Sequence, residues 1–230
     1  MGLYIETRIR ADVELIWRRT QDPAAHQRWD LRFTHIEPLA SGPGEPRRFR
    51  YAVRVLPGLT VSGTGVNAGE RHRPDGTRTS ALRFASAHPL SLIAEGSGYW
   101  RYVPDAGGVR FLTGYDYTPR WGRVGRLVDR VAFRPLMGWG TAWSFDRLRL
   151  WCERGITPRR CLRNALLDVG WRVGAAAAAL RAGPALALAV GLAVAAVPAA
   201  PTRPSARRCL RRPPGPVAAP EILGRLAAVR

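Results

Sequence analysis

Between residues 47 and 117 the chain repeats its character every second residue, and this pattern limits what it can fold into more than any other feature. Phe49, Tyr51, Val53 and Val55 alternate with Arg50, Ala52 and Arg54, and Val109, Phe111, Thr113, Tyr115 and Tyr117 alternate with Arg110, Leu112, Gly114 and Asp116. A period of two is that of strands with one buried face. Further runs lie at residues 59–66, 80–86 and 91–103. The separators are turn sequences: Pro57-Gly58, Arg73-Pro74-Asp75-Gly76 and Pro104-Asp105-Ala106-Gly107-Gly108. Connections this short leave no room for a crossover, so the strands must run antiparallel as a meander.

The flanks are of a different kind. Residues 3–10 read as one more half-buried strand. A helix follows, capped by Asp12, with Val13, Ile16, Trp17 and Thr20 on one stripe. Asp22-Pro23 then opens a second short helix over residues 24–29, since Asp at the cap with Pro at the first helical position is a start signal. After the meander, residues 124–153 have helical spacing, and Pro135 should kink or divide them. Trp139 and Trp143 fall on one side of this helix beside Gly138 and Gly140, and Gly155 and Pro158 end it. The predicted class is α+β, a curved antiparallel sheet wrapped around a long C-terminal helix.

That order, with the strings Tyr4-Ile5-Glu6-Thr7, Thr20-Gln21-Asp22-Pro23, Trp29-Asp30-Leu31-Arg32-Phe33, Gly98-Tyr99-Trp100, Gly114-Tyr115-Asp116-Tyr117 and the run from Phe133 through Trp139 and Trp143 to Asp146, resembles the helix-grip fold of the SRPBCC superfamily. That superfamily includes the START lipid-transfer domains and the polyketide cyclase/dehydrase-like proteins, and the strings look like those of an uncharacterised bacterial branch. The resemblance covers roughly residues 2–155. It implies a cavity between sheet and long helix that holds an apolar small molecule in many relatives, and it brings no common catalytic residue with it.

Inward aromatic positions, Tyr51, Tyr99, Phe111, Tyr115 and Tyr117 from the sheet with Trp139 and Trp143 from the helix, are the candidate ligand-binding residues. The competing reading for each is a filled core. Two residues are candidates for acid–base work. His26 is one because imidazole is the side chain suited to proton transfer at physiological pH, and Glu95 is the other if its face is the interior one. Parity sets Glu95 with Ile93, Ser97, Tyr99 and Arg101, but Leu92, Ala94, Trp100 and Tyr102 offer an equally apolar alternative. Alternation beyond the second helix would put Trp29, Leu31, Phe33 and His35 on one side and Asp30 with Arg32 on the other, a structural pair. Gly63-Thr64-Gly65-Val66-Asn67-Ala68 matches a dinucleotide fingerprint by letter but is followed by no helix, and Gly96-Ser97-Gly98 lacks the spacing of a nucleophile elbow. The four histidines, His26, His35, His72 and His88, make no metal spacing, so no metal or cofactor is implied.

Charge enters the argument through the tail. All 36 basic residues are Arg, against 17 acids, and a total exclusion of Lys reads first as codon bias rather than as a selected nucleic-acid surface. Nucleic acid is therefore an unfavoured partner. Past residue 155 the chain carries 12 Arg and 2 acids. Residues 182–200 are free of charge but rich in Ala and contain Pro184 and Pro198, a candidate membrane-associated helix with a disordered end after it, the alternative being a low-complexity disordered tail throughout. Cys152, Cys161 and Cys209 suit a reducing compartment, and no secretory leader is visible, so the expected place is the cytoplasm, with membrane association through residues 182–200. Two domains are expected: a helix-grip domain over residues 1–155 and a basic, Ala-, Pro- and Arg-rich extension over 156–230. The function expected is carriage or sensing of a small apolar or lipid-like molecule rather than catalysis; the alternative is a cyclase/dehydrase-type enzyme acting on a polyketide-like or isoprenoid-like substrate.

Overall fold

A computed structural model describes residues 2–42, 44–215, 220, 221 and 223. Strand β1 (Leu3–Ile9) turns Ile5, Thr7 and Ile9 toward the core. Asp12 then accepts a hydrogen bond from the Glu14 amide at 2.8 Å and starts α1 (Val13–Gln21). Asp22 ends that helix and starts α2 (Pro23–Trp29), accepting from the Ala24 amide at 3.0 Å. The strands β2 (His35–Pro38), β3 (Arg48–Leu56), β4 (Leu59–His72), β5 (Arg78–Ala85), β6 (Ile93–Asp105) and β7 (Gly108–Pro119) follow. With β1 they form one seven-stranded antiparallel sheet in the order β1-β7-β6-β5-β4-β3-β2. Gly58 and Gly76 occupy the turns with φ of 82° and 81°, values that a residue with a Cβ rarely adopts.

The long helical stretch is divided, as Pro135 requires. Helix α3 (Gly122–Val128) widens into a π-helical turn at Asp129–Phe133 before α4 (Arg134–Arg154). Pro135 has no amide hydrogen and its ring crowds the carbonyl four residues earlier, so a wider turn just ahead of it removes the clash without breaking the rod. Gly155, with φ of 64°, closes α4.

One face of the sheet, the inner one, wraps α4. Ile5, Ile9, Trp29, Trp100, Tyr102, Phe111, Phe145 and Leu148 make the core there, with Phe111 stacked on Phe145 at a ring separation of 4.5 Å. Each such aromatic contributes about 1.5–3 kcal/mol through burial. This is the α+β helix-grip architecture.

Beyond α4, Thr157 caps α5 (Pro158–Leu180), and α6 (Pro184–Ala196) runs back beside it. Helix α6 covers the middle of the segment expected at 182–200. No helix among the described residues is long and apolar enough to cross a membrane. The chain after α6 returns to the sheet as a strap. Ala206 and Cys209 enter the core beside α4, and Leu210 exchanges backbone hydrogen bonds of 2.9 Å in both directions with Glu6 on the free edge of β1. Of the end expected to be disordered, residues 201–215 are described and include this strap, while residues 216–219, 222 and 224–230 lie outside the described residues.

Candidate ligand-binding site

Reading across the inner face, register places Phe49 of β3 opposite Gly65 of β4, Gly65 opposite Phe84 of β5, Phe84 opposite Gly96 of β6, and Gly96 opposite Tyr117 of β7. Aromatic and glycine alternate across five strands. A Cβ on Gly65 would lie 2.1 Å from the Phe49 ring, and one on Gly96 would lie 2.5 Å from the Phe84 ring. The rings therefore lie flat on the bare glycine backbone instead of standing up from the sheet. Tyr51 does the same over Gly63, where a Cβ would come within 2.4 Å of its hydroxyl.

The consequence is a floor one ring thick. At the Trp100 end the inner face is filled by core, but Phe33, Phe49, Phe84 and Phe133 are only half-buried. Trp139, on the α4 side, is 44% exposed and stacks on the buried Trp143 with centroids 6.3 Å apart. At its Phe49–Phe84 end the inner face is therefore only partly covered by core.

Polar groups stand at its margin, each already matched. Tyr117 donates from its hydroxyl to Asp129, which also accepts from Arg134 Nε at 3.1 Å. Tyr115 and Thr141 share a hydrogen bond of 3.1 Å. Arg32 clasps Asp30 with Nε at 3.0 Å and Nη2 at 2.7 Å, and its guanidinium lies 5.5 Å from the Tyr115 ring centre. Burial alone would raise the Asp30 carboxyl, but the Arg32 charge and hydrogen bonds from His26 and Arg32 take it well below the usual carboxylate range. Burial pushes Tyr51 up to about 12, and burial with the Asp129 hydrogen bond pushes Tyr117 higher still. These phenols are neutral hydrogen-bonding groups.

Of the residues expected to line the cavity, Tyr51, Tyr115 and Tyr117 lie on the inner face of the sheet, while Trp139 and Trp143 stack on each other along α4. Phe111 is fully buried and belongs to the core. Tyr99 stands on the outer face, packed with Tyr4, Ala81 and Leu112, because β6 turns Trp100 and Tyr102 inward. The same parity puts Glu95 outside. It is exposed and lines a groove of about 420 Å³ on the outer face with Arg83, Ser97, Asp116 and Thr118. His26 is stacked on Trp29 at 5.1 Å, edged by Phe33 and Trp100, and held by Asp30 through Nε2 at 3.1 Å. Asp30 and Arg32 face inward and Leu31 outward, the reverse of the simple alternation, because the chain turns after α2 and becomes a strand only at His35. Sequence reasoning misses Asp129, Arg134, Phe49 and Phe84 as site residues; the paired glycines at 63/65 and 96/98 are the available signal. Among the described residues, no group of three or more His, Cys, Asp and Glu side chains is arranged to hold a metal ion.

Two short helices, an antiparallel sheet and a long closing helix make an SRPBCC-type, helix-grip fold. No family model matches the chain. It is 48% identical over 168 residues to an uncharacterized membrane protein, YndG, of Bacillus subtilis, a stretch covering 73% of this chain and 63% of that protein. The chain thus spans less than two thirds of that relative. Similar solved structures include a STAR-related lipid transfer protein from Xanthomonas axonopodis, at 20% identity over 63% of this chain and 81% of that one, with a TM-score of 0.48. The Zhui aromatase/cyclase from Streptomyces is 17% identical over 66% of this chain and 98% of that one, with a TM-score of 0.44.

Proposed function

We propose that the protein binds a small apolar, lipid-like molecule with one neutral polar end, as a carrier or sensor, at the cytoplasmic face of a membrane. The observation that supports this is the aromatic–glycine row, in which rings on the inner face lie over glycines and Phe49 and Phe84 stay only half-buried. The polarity of the margin argues for a neutral ligand. Asp30 is matched by Arg32 and Asp129 by Arg134, so the wall offers phenol and threonine hydroxyls rather than an uncompensated charge. The name of the Bacillus subtilis relative agrees with a membrane setting, and the extension supplies a means of reaching one.

Native mass spectrometry of the purified full-length chain, followed by organic extraction, tests this. A co-purifying lipid-like mass that is lost from Trp139→Ala, with Tm unchanged because Trp139 is substantially exposed, is the expected result. A ligand-free chain that also takes up no fatty acid or isoprenoid added in excess would sink the proposal.

A further inference from the structure

We infer that the α5–α6 hairpin lies flat in the surface of an anionic bilayer, within one leaflet, and holds the domain there; this deepens the membrane part of the function proposed above. Helix α6 has 13 residues, about 20 Å, against a hydrocarbon core of about 30 Å, so it is too short to cross. It is nevertheless without a charged residue. Leu166, Leu167 and Val173 on α5 and Leu186, Leu188 and Leu192 on α6 are 49–66% exposed, an apolar surface with no protein against it.

Charge decides the occupant. Between residues 164 and 197 only Asp168, Arg172 and Arg181 are charged. Asp168 accepts from Arg172 Nε at 2.8 Å and from Arg203 of the strap, and Arg172 also donates to the Val194 carbonyl near the end of α6. Asp168 and Arg172 are thereby matched inside the hairpin, where they close it onto the strap. The remaining cations mark its ends. Arg159, Arg160 and Arg163 are exposed at the start of α5, Arg181 at the turn, and Arg207, Arg211 and Arg212 after α6. A hairpin standing upright would carry Arg181 to the greatest depth. One lying in the plane lets Arg181 and the cations at the other end reach phosphates while the leucines enter the acyl boundary. The 12 Arg and 2 acids past residue 155 fit an anionic surface rather than a second copy of the same basic segment.

The test is flotation of the full-length chain with vesicles of phosphatidylcholine alone or with phosphatidylglycerol. Binding is expected only with the anionic vesicles and should fall about tenfold or more for Leu188→Glu with Leu192→Glu, whose solvent-facing positions leave Tm unchanged. Replacing Arg159, Arg160 and Arg163 by Gln should flatten the salt dependence. Bromine placed near the lipid carbonyls should quench the fluorescence difference between wild type and Trp171→Phe more than bromine at the chain ends; the opposite order would overturn the flat orientation. Equal flotation of the Glu variant would overturn the membrane site, as would a dimer that this variant dissolves while vesicle binding persists. None of these readouts needs a bound ligand, so an empty pocket and a failed anchor are separately visible.

Discussion

Arg208 Nη1 donates to Asp146 Oδ2 at 2.8 Å, tying the strap that follows α6 to the middle of α4. Asp146 is fully buried and also accepts from the Ser205 amide at 2.7 Å and from Arg149 Nε at 2.6 Å. Such a carboxylate costs several kcal/mol to desolvate and is tolerable only with all its partners. Asp146→Ala leaves Arg208 and Arg149 without it and should destabilise the chain by about 3–5 kcal/mol in urea unfolding. Ending the chain at residue 155 should also lower Tm, because Ala206 and Cys209 are part of the core. A truncated chain as stable as the whole would show the strap to be an ornament.

Asp30 and Arg32 make the same kind of pair beside the Tyr115 ring, and here the expectation concerns pH. The Asp30 carboxyl is held well below its unfolded value, about 3.9, so its contribution is present above that value and lost as pH falls through the native one. Wild-type stability should therefore decline on acidification below about pH 4, and Asp30→Asn should flatten that limb while costing about 3–5 kcal/mol at pH 7 through the stranded Arg32. Parallel acid limbs in urea titrations of the two proteins would refute this.

Two glycines should behave in opposite ways. A Cβ at Gly96 would lie 2.5 Å from the Phe84 ring and 2.6 Å from the Asp116 carbonyl, so Gly96→Ala should lift the ring and cost about 1–3 kcal/mol. At Gly140, within α4, an added methyl would meet nothing within 4 Å, so Gly140→Ala should gain up to about 1 kcal/mol from helix propensity. If both substitutions shift the denaturation midpoint alike, the flat-ring description is wrong.

This contrast also shows what can be read from the residues alone. The meander, Asp12, Asp22-Pro23, Pro135 and Gly155 each act locally, through period, capping or a fixed φ, and so they are legible one at a time. The candidate site is not local. Gly63, Gly65 and Gly96 belong to failed nucleotide and hydrolase motifs until strand register sets Tyr51, Phe49 and Phe84 on top of them. Likewise, the residues of β6 leave its inward face undecided between Glu95 with Tyr99 and Trp100 with Tyr102, because both sets are apolar enough. Pairing of Trp100 with Thr113, and so with the face of Phe111 and Tyr115, decides it. Asp168 and Arg172, costly in lipid as separate charges, become compatible with a membrane surface only when Arg203 and the Val194 carbonyl are seen to meet them.

The seating of the strap can be followed through its own thiol. Cys209 is buried, its Sγ 3.2 Å from the Ala142 carbonyl, and burial together with the nearby Asp146 charge pushes its pKa up to about 12. The thiolate is the reactive form, and at pH 8 such a group holds roughly one part in ten thousand of it. Cys161, fully buried and raised to about 11 chiefly by burial, should be similarly slow. In the native chain a maleimide should therefore modify Cys209 far more slowly than in urea, with the site read by peptide mass spectrometry. Asp146→Ala should accelerate labelling at Cys209 more than at Cys161, since release of the strap exposes the first directly while the second stays buried in the first turn of α5. Equal acceleration at both sites would mean that Asp146 holds the whole domain rather than the strap, and rapid labelling of native Cys209 would mean that the strap is not seated at all.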